Sequence, residues 1–555
     1  MGFLPLLAGL IAVPALAAGA SLPRTASQYP TVNTTHGYVR GAGSEYRDGV
    51  TVYKGIPFAA PPTGSNRWKA PSAPSPWTEV LEATEFGPQC AQSISSAGIF
   101  STGKNTTSED CLYLNVWHPS SPSPSALSSA SLPVYVWIYG GRFSGGSGDV
   151  KTYDGSGLAS KDIVVVTLNY RLGAFGFLAH PDLSAEAGAH NASGNYGLLD
   201  QQAALRWVRD NIANFGGNPD QVTVGGQSAG SASALDMMWS PLSRGLVHGV
   251  IAESGARGPH DPVTGGAATS YREKDAAEAA GVEFLQTMNV SSVDELREVS
   301  ADALIAQGNG MDTTFVGTAF ENVTAAFMEP PVWRPVVDGY VLPHGYGDAL
   351  ALGDHADIPV LTGNNRDESG ASTTTAVSAA DYNTDYGAMF RNFSSEFFAL
   401  YPGANETQAS ASSDALFRDL SRVGTWQWSV DWAKGGAKSS VYTYYFTHAP
   451  PENEEAGAYH GAELWYAMNN IPYAAYDNAT WSAEDYEIET KMAGYWANFI
   501  KTGDPNGGNL TRWEPSTEGK KETMWLGDKW GTGPISEQAE RISFLESWLS
   551  TLHQW

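Results

Sequence analysis

The chain has 555 residues, of which 42% are hydrophobic and 11% aromatic, so it can bury a large core and is not globally disordered. Its formal net charge is −27 at pH 7, and no cluster of lysine and arginine offsets that charge locally. Such a surface repels nucleic acid and anionic membranes. Nucleic acid is therefore excluded as a predicted partner, and a neutral or cationic small molecule is favoured.

The first residues, 1–20, are predicted to form a secretory signal peptide. An apolar run from Phe3 to Leu16 leads to the small residues of Ala15-Leu16-Ala17 or Ala18-Gly19-Ala20, either of which is typical of signal-peptidase cleavage, although no lysine or arginine precedes the run. We therefore predict a secreted, extracellular protein with one domain over residues 21–555. No later run reaches the ~18 apolar residues that a membrane span requires, so no stable membrane anchor is expected.

Two further features fit export. The two cysteines, Cys90 and Cys111, most simply form one disulfide in an oxidising compartment, and no metal site is predicted from two thiols. Nine Asn-x-Ser/Thr triplets are candidate glycosylation sites, namely Asn33, Asn105, Asn191, Asn289, Asn322, Asn392, Asn405, Asn478 and Asn509.

Alternating strand and helix patterns predict an α/β fold. Apolar, β-branched runs predict buried strands at Leu132–Ile138, Ile163–Leu168, Gln221–Val224 and Val250–Ala252. Apolar residues at helical spacing predict a helix over Tyr196–Asn214. The repetition indicates a large, mostly parallel, doubly wound central sheet with helices on both faces. Residues 265–330 and 372–440 have helical patterns, and we expect them to be insertions over the active site that form walls of a substrate pocket.

The segment Gly226-Gln227-Ser228-Ala229-Gly230 matches G-x-S-x-G, the sharp strand-to-helix turn that exposes a nucleophilic serine. It follows the predicted strand that ends at Val224, which is the context that the motif requires. For a tetrahedral oxyanion, the backbone N–H groups of Gly140-Gly141-Arg142, directly after the Leu132–Ile138 strand, and of Ala229 are the predicted donors.

A nucleophilic serine needs a histidine base and a carboxylate that orients the histidine, and both follow the serine along such chains. Asp367 and Glu368 are adjacent candidates after the strand-like segment Ile358–Leu361. The residue pattern does not choose between them, nor among the histidines that follow Ser228, which are His248, His260, His344, His355, His448, His460 and His553.

Together these motifs resemble the type-B carboxylesterase/cholinesterase family of α/β-hydrolases, within it the secreted fungal-type carboxylesterase and lipase branch. The resemblance implies Glu368 as the acid, His460 as the base, and Gly141, Arg142 and Ala229 as oxyanion donors. It also implies the Cys90–Cys111 disulfide and an ion pair of Glu109 with Arg171. The matching segments, from about Gly37 to Pro515, are Tyr53–Phe58, Ser108–Asn115, Trp137–Phe143, Asn169–Gly173, Gly194–Gln201, Phe215–Pro219, Gly226–Gly230, Arg334–Asp338 and Asn498–Pro505.

Four departures from the family pattern bear on the substrate. Gln227 replaces the usual Glu before the nucleophile, Arg142 replaces the third glycine of the oxyanion loop, and Ser369 replaces a glycine after the acid. The segment between Cys90 and Cys111 contains no tryptophan, the residue that cholinesterases of the family use there to hold quaternary ammonium. A cholinesterase is therefore not predicted.

The sequence thus predicts a secreted serine carboxylic-ester hydrolase that works through an acyl-enzyme without a cofactor or metal, on neutral, short to medium or aromatic esters. Its rate should fall at acid pH, because a protonated histidine cannot act as base. The alternatives are a triacylglycerol or sterol-ester lipase, with the Cys90–Cys111 loop as a lid, and a catalytically silent recognition module. The residues predict no oligomeric state.

Overall fold

The computed structural model describes residues 29, 31–94, 98–120, 127, 129–264, 271–325, 329–368, 370–371, 376–473 and 479–554. The predicted signal segment 1–20, Ser369 and Asn478 lie outside these residues. No helix in the described ranges is long and apolar enough to cross a membrane.

Within the described residues, a central sheet contains eleven strands. Its strands in chain order are β1 (Ala42–Gly43), β2 (Val50–Pro57), β3 (Tyr113–Pro119), β4 (Leu132–Ile138), β5 (Val164–Leu168), β6 (Gly217–Gln227), β7 (Gly249–Glu253), β8 (Val360–Asn365), β9 (Val441–Phe446), β10 (Glu522–Leu526) and β11 (Gly531–Pro534). Short strands outside this sheet are Thr31–Thr34, Gly37–Arg40, Leu81–Glu82, Gln89–Cys90, Thr107–Ser108, Arg272–Glu273 and Val336–Val337.

The order of strands across the sheet is β11-β10-β9-β8-β7-β6-β4-β5-β3-β2-β1. All neighbours from β10 to β5 are parallel, and the pairs at the two edges are antiparallel. Central strands such as β5 and β7 are buried along their whole length, which explains their mostly apolar sequences. The carboxyl ends of β4, β6, β8 and β9 therefore meet at one edge of the sheet.

Helices flank this sheet. The longer ones in the described chain are α1 (Tyr196–Asn211), α2 (Ala229–Trp239), α3 (Lys274–Thr287), α4 (Glu406–Lys434), α5 (Ala483–Thr502) and α6 (Ala539–Leu549). Shorter α-helical segments are Ser156–Ala159, Gly173–Phe177, Pro181–Glu186, Val293–Arg297, Ala301–Gln307, Glu321–Ala325, Tyr346–Leu352, Ala379–Asp381, Gly387–Phe390, Ser394–Leu400 and Leu464–Ala467. Helices α1, α2 and α5 pack against β6, so the strand that ends at the serine motif is enclosed by helices.

The predicted α/β class is confirmed. The Leu132–Ile138 run is β4 with the predicted bounds, and the Gln221–Val224 run is the centre of the longer β6. The predicted helix ends at Asn211, because the chain tightens there into a 3₁₀ turn over Ile212–Phe215.

Within the second predicted insertion, α4 contacts β8, β9 and β10 of the sheet, whereas the shorter helices of residues 379–400 pack mainly against one another, α4 and α6. Tyr382, Phe390, Phe397 and Leu416 form a separate apolar cluster with Trp548 of α6. The division of the mature chain into one domain with two insertions stays a prediction.

The predicted disulfide between Cys90 and Cys111 is present. The predicted ion pair of Glu109 with Arg171 is wrong. Glu109 pairs with Arg67 at 2.5 Å, and the buried Arg171 pairs with Asp200 at 2.7 Å. Each charge has a nearer opposite charge on another segment, which the motif spacing does not reveal.

Replacing both cysteines by alanine is predicted to lower the free energy of unfolding by about 3 kcal/mol, because the cross-link restricts a loop of some twenty residues in the unfolded chain. Thermal unfolding of wild type and variant under non-reducing conditions measures this effect. Wild-type protein treated with dithiothreitol serves as the control and should show the same lowered Tm. An unchanged Tm in the double variant would contradict the prediction.

Candidate active site

Ser228 occupies a strained turn between β6 and α2. Its backbone has φ 59° and ψ −126°, and its N–H donates to the main-chain oxygen of Glu253 at 2.9 Å. A Cβ at Gly230 would overlap the main-chain oxygen of Ile138, and one at Gly226 would overlap Gly230 itself. The two glycines of the motif are therefore required by close packing, and the turn places the serine side chain at the edge of the sheet.

The loop after β4 lies directly against this turn. A Cβ at Gly140 would lie 3.1 Å from the Cβ of Ser228, so the two segments are in contact. Arg142 and Phe143 both have positive φ, 58° and 60°, which turns the loop sharply. The N–H groups of Gly141, Arg142 and Ala229 donate no hydrogen bond to any residue that the structure describes, which leaves three donors beside Ser228.

His460 and Glu368 form a hydrogen-bonded pair. His460 Nδ1 lies 2.5 Å from Glu368 Oε2. The side chain of Glu368 is fully buried, whereas that of His460 is one-third exposed. Glu368 follows β8, and His460 lies in the loop after β9, which runs parallel to β8. Because the ionised Glu368 can only accept, the proton of the neutral His460 ring lies on Nδ1. The other ring nitrogen, Nε2, is then free to accept a proton.

Several groups keep the buried Glu368 ionised. Burial alone would raise its pKa, but the hydrogen bond and charge of His460, together with Arg257 and the N–H of Asn365, hold the pKa of Glu368 below its ordinary value. The buried Arg257 has its Nη2 3.7 Å from Glu368 Oε1, and the Asn365 N–H donates to the same oxygen at 2.8 Å. The carboxylate can therefore orient His460 at neutral pH.

The structure separates Glu368 from its neighbour Asp367. Asp367 accepts from Arg418 at 2.6 Å and from the N–H of Ala458 at 2.8 Å, so it joins two loops and does not approach His460. Among the other histidines, His448 lies between Asp485 and Asp528, at 3.0 and 2.7 Å. It does not line the cavity that contains Ser228.

A contact missed by the sequence reasoning involves Gln227. Its Nε2 lies 3.0 Å from His460 Nε2, so in this state the amide donates to the nitrogen that would accept the serine proton. The side chain of Gln227 is almost completely buried. The unusual residue at this position was the available signal, because a neutral amide can donate to a neutral imidazole and an ionised Glu cannot.

Two further carboxyls are buried behind the pair. Burial raises the pKa of Glu253 to about 8, against hydrogen bonds from Trp496 and Glu463, and it also raises the pKa of Glu463. Glu253 Oε2 and Glu463 Oε1 accept no hydrogen bond from the described residues. Because both pKa values are raised, burial favours the protonated form of these carboxyls. The side-chain amide of Asn365 donates to Glu463 while its N–H donates to Glu368.

One cavity of about 490 Å³ lies at this edge of the sheet, beside the serine turn and His460. Ser228, Gln227, His460 and the 140–142 loop form its base. Its walls include the apolar or aromatic residues Phe100, Tyr153, Met311, Pro331 and Trp333. In the described ranges no group of three or more His, Cys, Asp or Glu could hold a metal ion.

A serine at a strained turn, a histidine-carboxylate pair and free backbone donors around one cavity are the features of a serine ester hydrolase on an α/β fold. The model of the carboxylesterase family matches residues 28–541. The chain belongs to this family, and it is a carboxylic ester hydrolase of the type-B carboxylesterase group.

Several relatives match nearly the whole chain. Fumonisin B1 esterase of Sphingopyxis macrogoltabida is 35% identical over 90% of this chain and 87% of its own length. Para-nitrobenzyl esterase of Bacillus subtilis (strain 168) is 35% identical over 89% of this chain and 94% of its own length. Carboxylesterase 1D of Mus musculus is 32% identical over 90% of each chain. These bacterial and mammalian enzymes support the family but not the fungal-type branch.

Solved structures confirm the α/β-hydrolase fold. A structure titled PNB esterase has a TM-score of 0.74 and 32% sequence identity to this chain. The match covers 93% of this chain and 100% of the other.

Gln227→Glu is predicted to shift the acid limb of the pH profile of kcat/KM upward by about one pH unit. A carboxylate beside His460 Nε2 would stabilise the imidazolium, the form that cannot act as base. Hydrolysis of 4-nitrophenyl acetate from pH 4.5 to 9 by wild type and variant measures the shift. An acid limb that stays in place would show that Gln227 does not contact the base in the working enzyme.

Glu253→Gln is predicted to reduce the pH dependence of stability. Because the pKa of Glu253 is raised, the folded state holds a proton between about pH 4.5 and 8 that the unfolded chain releases, so wild-type stability falls as pH rises through this window. One such group contributes about 1 kcal/mol per pH unit. Thermal unfolding from pH 5 to 8 measures both slopes, and equal slopes in the two proteins would exclude a protonated Glu253.

Proposed function

We propose that the chain is a secreted esterase in which Ser228, His460 and Glu368 form a catalytic triad. Ser228 Oγ attacks the ester carbonyl while His460 Nε2 takes its proton, and Glu368 stabilises the imidazolium. The N–H groups of Gly141, Arg142 and Ala229 hold the oxyanion. The tetrahedral intermediate then expels the alcohol, which receives the proton from His460.

The second half of the reaction regenerates the serine. Water attacks the acyl-enzyme as His460 removes its proton, and the acid leaves when the proton returns to Ser228 Oγ. For this cycle His460 Nε2 must exchange its contact with Gln227 for one with Ser228. Catalytic hydrogen bonds often form only in the substrate complex, so this exchange belongs to substrate binding.

The observation that carries the proposal is the pairing of His460 with an ionised, buried Glu368 at 2.5 Å in the cavity that contains Ser228. A catalytically silent recognition module has no need to keep a buried carboxylate charged beside a histidine, because such burial destabilises the fold.

The substrates that this cavity favours are short to medium or aromatic esters. Tyr153 and Trp333 offer flat apolar surfaces for an aryl group, and a volume of about 490 Å³ is in the range of small-ligand sites. The relatives named para-nitrobenzyl esterase and carboxylesterase support this substrate class.

A lipase is the second candidate, and the Cys90–Cys111 loop is the feature that bears on it. Phe100 of this loop lines the cavity and is 40% exposed, and Ile94 is 38% exposed. In the same loop Lys104 is paired with Asp149, and Asn105 is an exposed glycosylation candidate. Two separate apolar side chains make a small surface for binding to a lipid interface, which favours the esterase.

Secretion is supported by the single disulfide and by the glycosylation candidates. All eight candidate asparagines in the described residues are exposed, so a glycan could be attached at each without unfolding the chain. They are Asn33, Asn105, Asn191, Asn289, Asn322, Asn392, Asn405 and Asn509. Membership of the fungal-type secreted branch remains a prediction.

Ser228→Ala is predicted to lower kcat at least about 10⁴-fold on 4-nitrophenyl esters, because the acyl-enzyme can no longer form. A series from acetate to palmitate, assayed with wild type and variant, measures both the loss and the chain-length preference. We expect the highest kcat/KM for short chains.

A wild-type maximum at palmitate would favour the lipase. A folded wild type that hydrolyses none of these esters, or a Ser228→Ala variant that keeps wild-type activity, would contradict the proposed mechanism. Circular dichroism of both proteins provides the control for folding.

A further inference from the structure

Arg142 gives the active-site cavity an unusual charge. Among the described residues that line the cavity, Arg142 is the one with a permanent charge, and neither Asp nor Glu is present. The other polar side chains of the lining include the neutral amides of Gln89, Gln92, Gln227 and Asn309. The described lining itself therefore carries a positive charge, although the whole chain carries a net charge of −27.

The guanidinium of Arg142 is held in place but incompletely neutralised. Its Nη2 donates to the main-chain oxygen of Glu329, whereas its buried Nε has no acceptor among the described residues. Burial lowers the pKa of Arg142, and the charge of Glu329 opposes that shift. Arg142 forms no ion pair within 4 Å with any described residue, so the charge of Glu329 acts on it only from a greater distance.

The position of Arg142 determines where this charge acts. Its own N–H is one of the three free donors beside Ser228, so its side chain starts next to the carbonyl that the serine would attack. A carboxylate a few carbon atoms from that carbonyl would come within reach of the guanidinium. Gln227, which precedes Ser228 and also lines the cavity, adds no negative charge that would repel such a substrate.

We propose that the enzyme selects esters that carry a carboxylate, such as monoesters of short dicarboxylic acids, and that Arg142 is the residue that recognises the anion. A guanidinium binds a carboxylate through charge-assisted, often paired hydrogen bonds that a neutral ester of the same size cannot form. The proposal rests on the proposed function, because it places the anion relative to Ser228.

This substrate class differs from the neutral or cationic ligand that the net charge favours. The surface charge acts over distances that salt screens, whereas Arg142 acts at contact inside a cavity with few other charges. The net charge therefore slows the approach of an anionic ester, and Arg142 favours its bound state.

The test compares matched ester pairs. For a carboxylate on the acyl side, 4-nitrophenyl hydrogen glutarate is compared with 4-nitrophenyl butanoate; for one on the alcohol side, 4-acetoxybenzoate is compared with 4-tolyl acetate. The measured quantity is the ratio of kcat/KM for the anionic and the neutral ester at fixed ionic strength. Comparing each ratio between wild type and variant cancels the effect of the charge that the two proteins share.

Arg142→Met is expected to lower this ratio about ten-fold or more in at least one pair, and Arg142→Lys to lower it less, because the charge remains. Glu329→Gln is a second test variant, at a residue outside the catalytic groups. This variant should raise the same ratio, since it removes a negative charge near Arg142 that repels an anionic ester. It should leave hydrolysis of the neutral ester unchanged. Because the proposal requires this rise, Glu329→Gln tests it even if Arg142→Met does not fold.

A folded Arg142→Met that lowers neither ratio, or a Glu329→Gln that raises neither, would overturn the proposal. Continued hydrolysis of the neutral esters would then leave the esterase reaction intact. Failure of the wild type to hydrolyse any of the four esters would instead contradict the proposed function. The two failures are therefore distinguishable in one set of assays.

Discussion

The close packing of β4 against the turn after β6 is the constraint on which the rest of the site depends. The main chain of Ile138 leaves no space for a side chain at Gly230, so the turn can form only with glycine there and with a positive φ at Ser228. The same contact brings the loop that contains Arg142 to the serine. A strained nucleophile and its oxyanion donors thus arise from one packing requirement, which the surrounding buried strands stabilise.

The buried groups near this turn differ in charge from the residues that line the cavity. The ionised Glu368 is balanced by Arg257, while burial raises the pKa of Glu253 and Glu463 and so favours their neutral forms. The cavity lining in the described chain has no carboxylate. The negative charge that orients the base is therefore kept behind it, and the substrate side stays neutral or positive.

Much of the fold and the serine turn could be predicted from residues alone, because buried parallel strands read as continuous apolar runs and the turn requires its glycines. The acid and base could be assigned only through family resemblance, since Glu368 and His460 are 92 positions apart. The contact of Gln227 with His460 and the Glu253–Glu463 pair depend on tertiary packing. The Glu109–Arg171 prediction failed for the same reason, because Arg67 and Asp200 lie nearer.

The central claim is that Ser228 is a nucleophile activated by His460. The most direct measurement is labelling with a fluorophosphonate, followed by peptide mass spectrometry of the wild type and of His460→Gln. The account predicts one covalent adduct per chain in the wild type, located on Ser228, and a much slower reaction in His460→Gln. An adduct on another residue, or labelling of Ser228 at the same rate in both proteins, would contradict it.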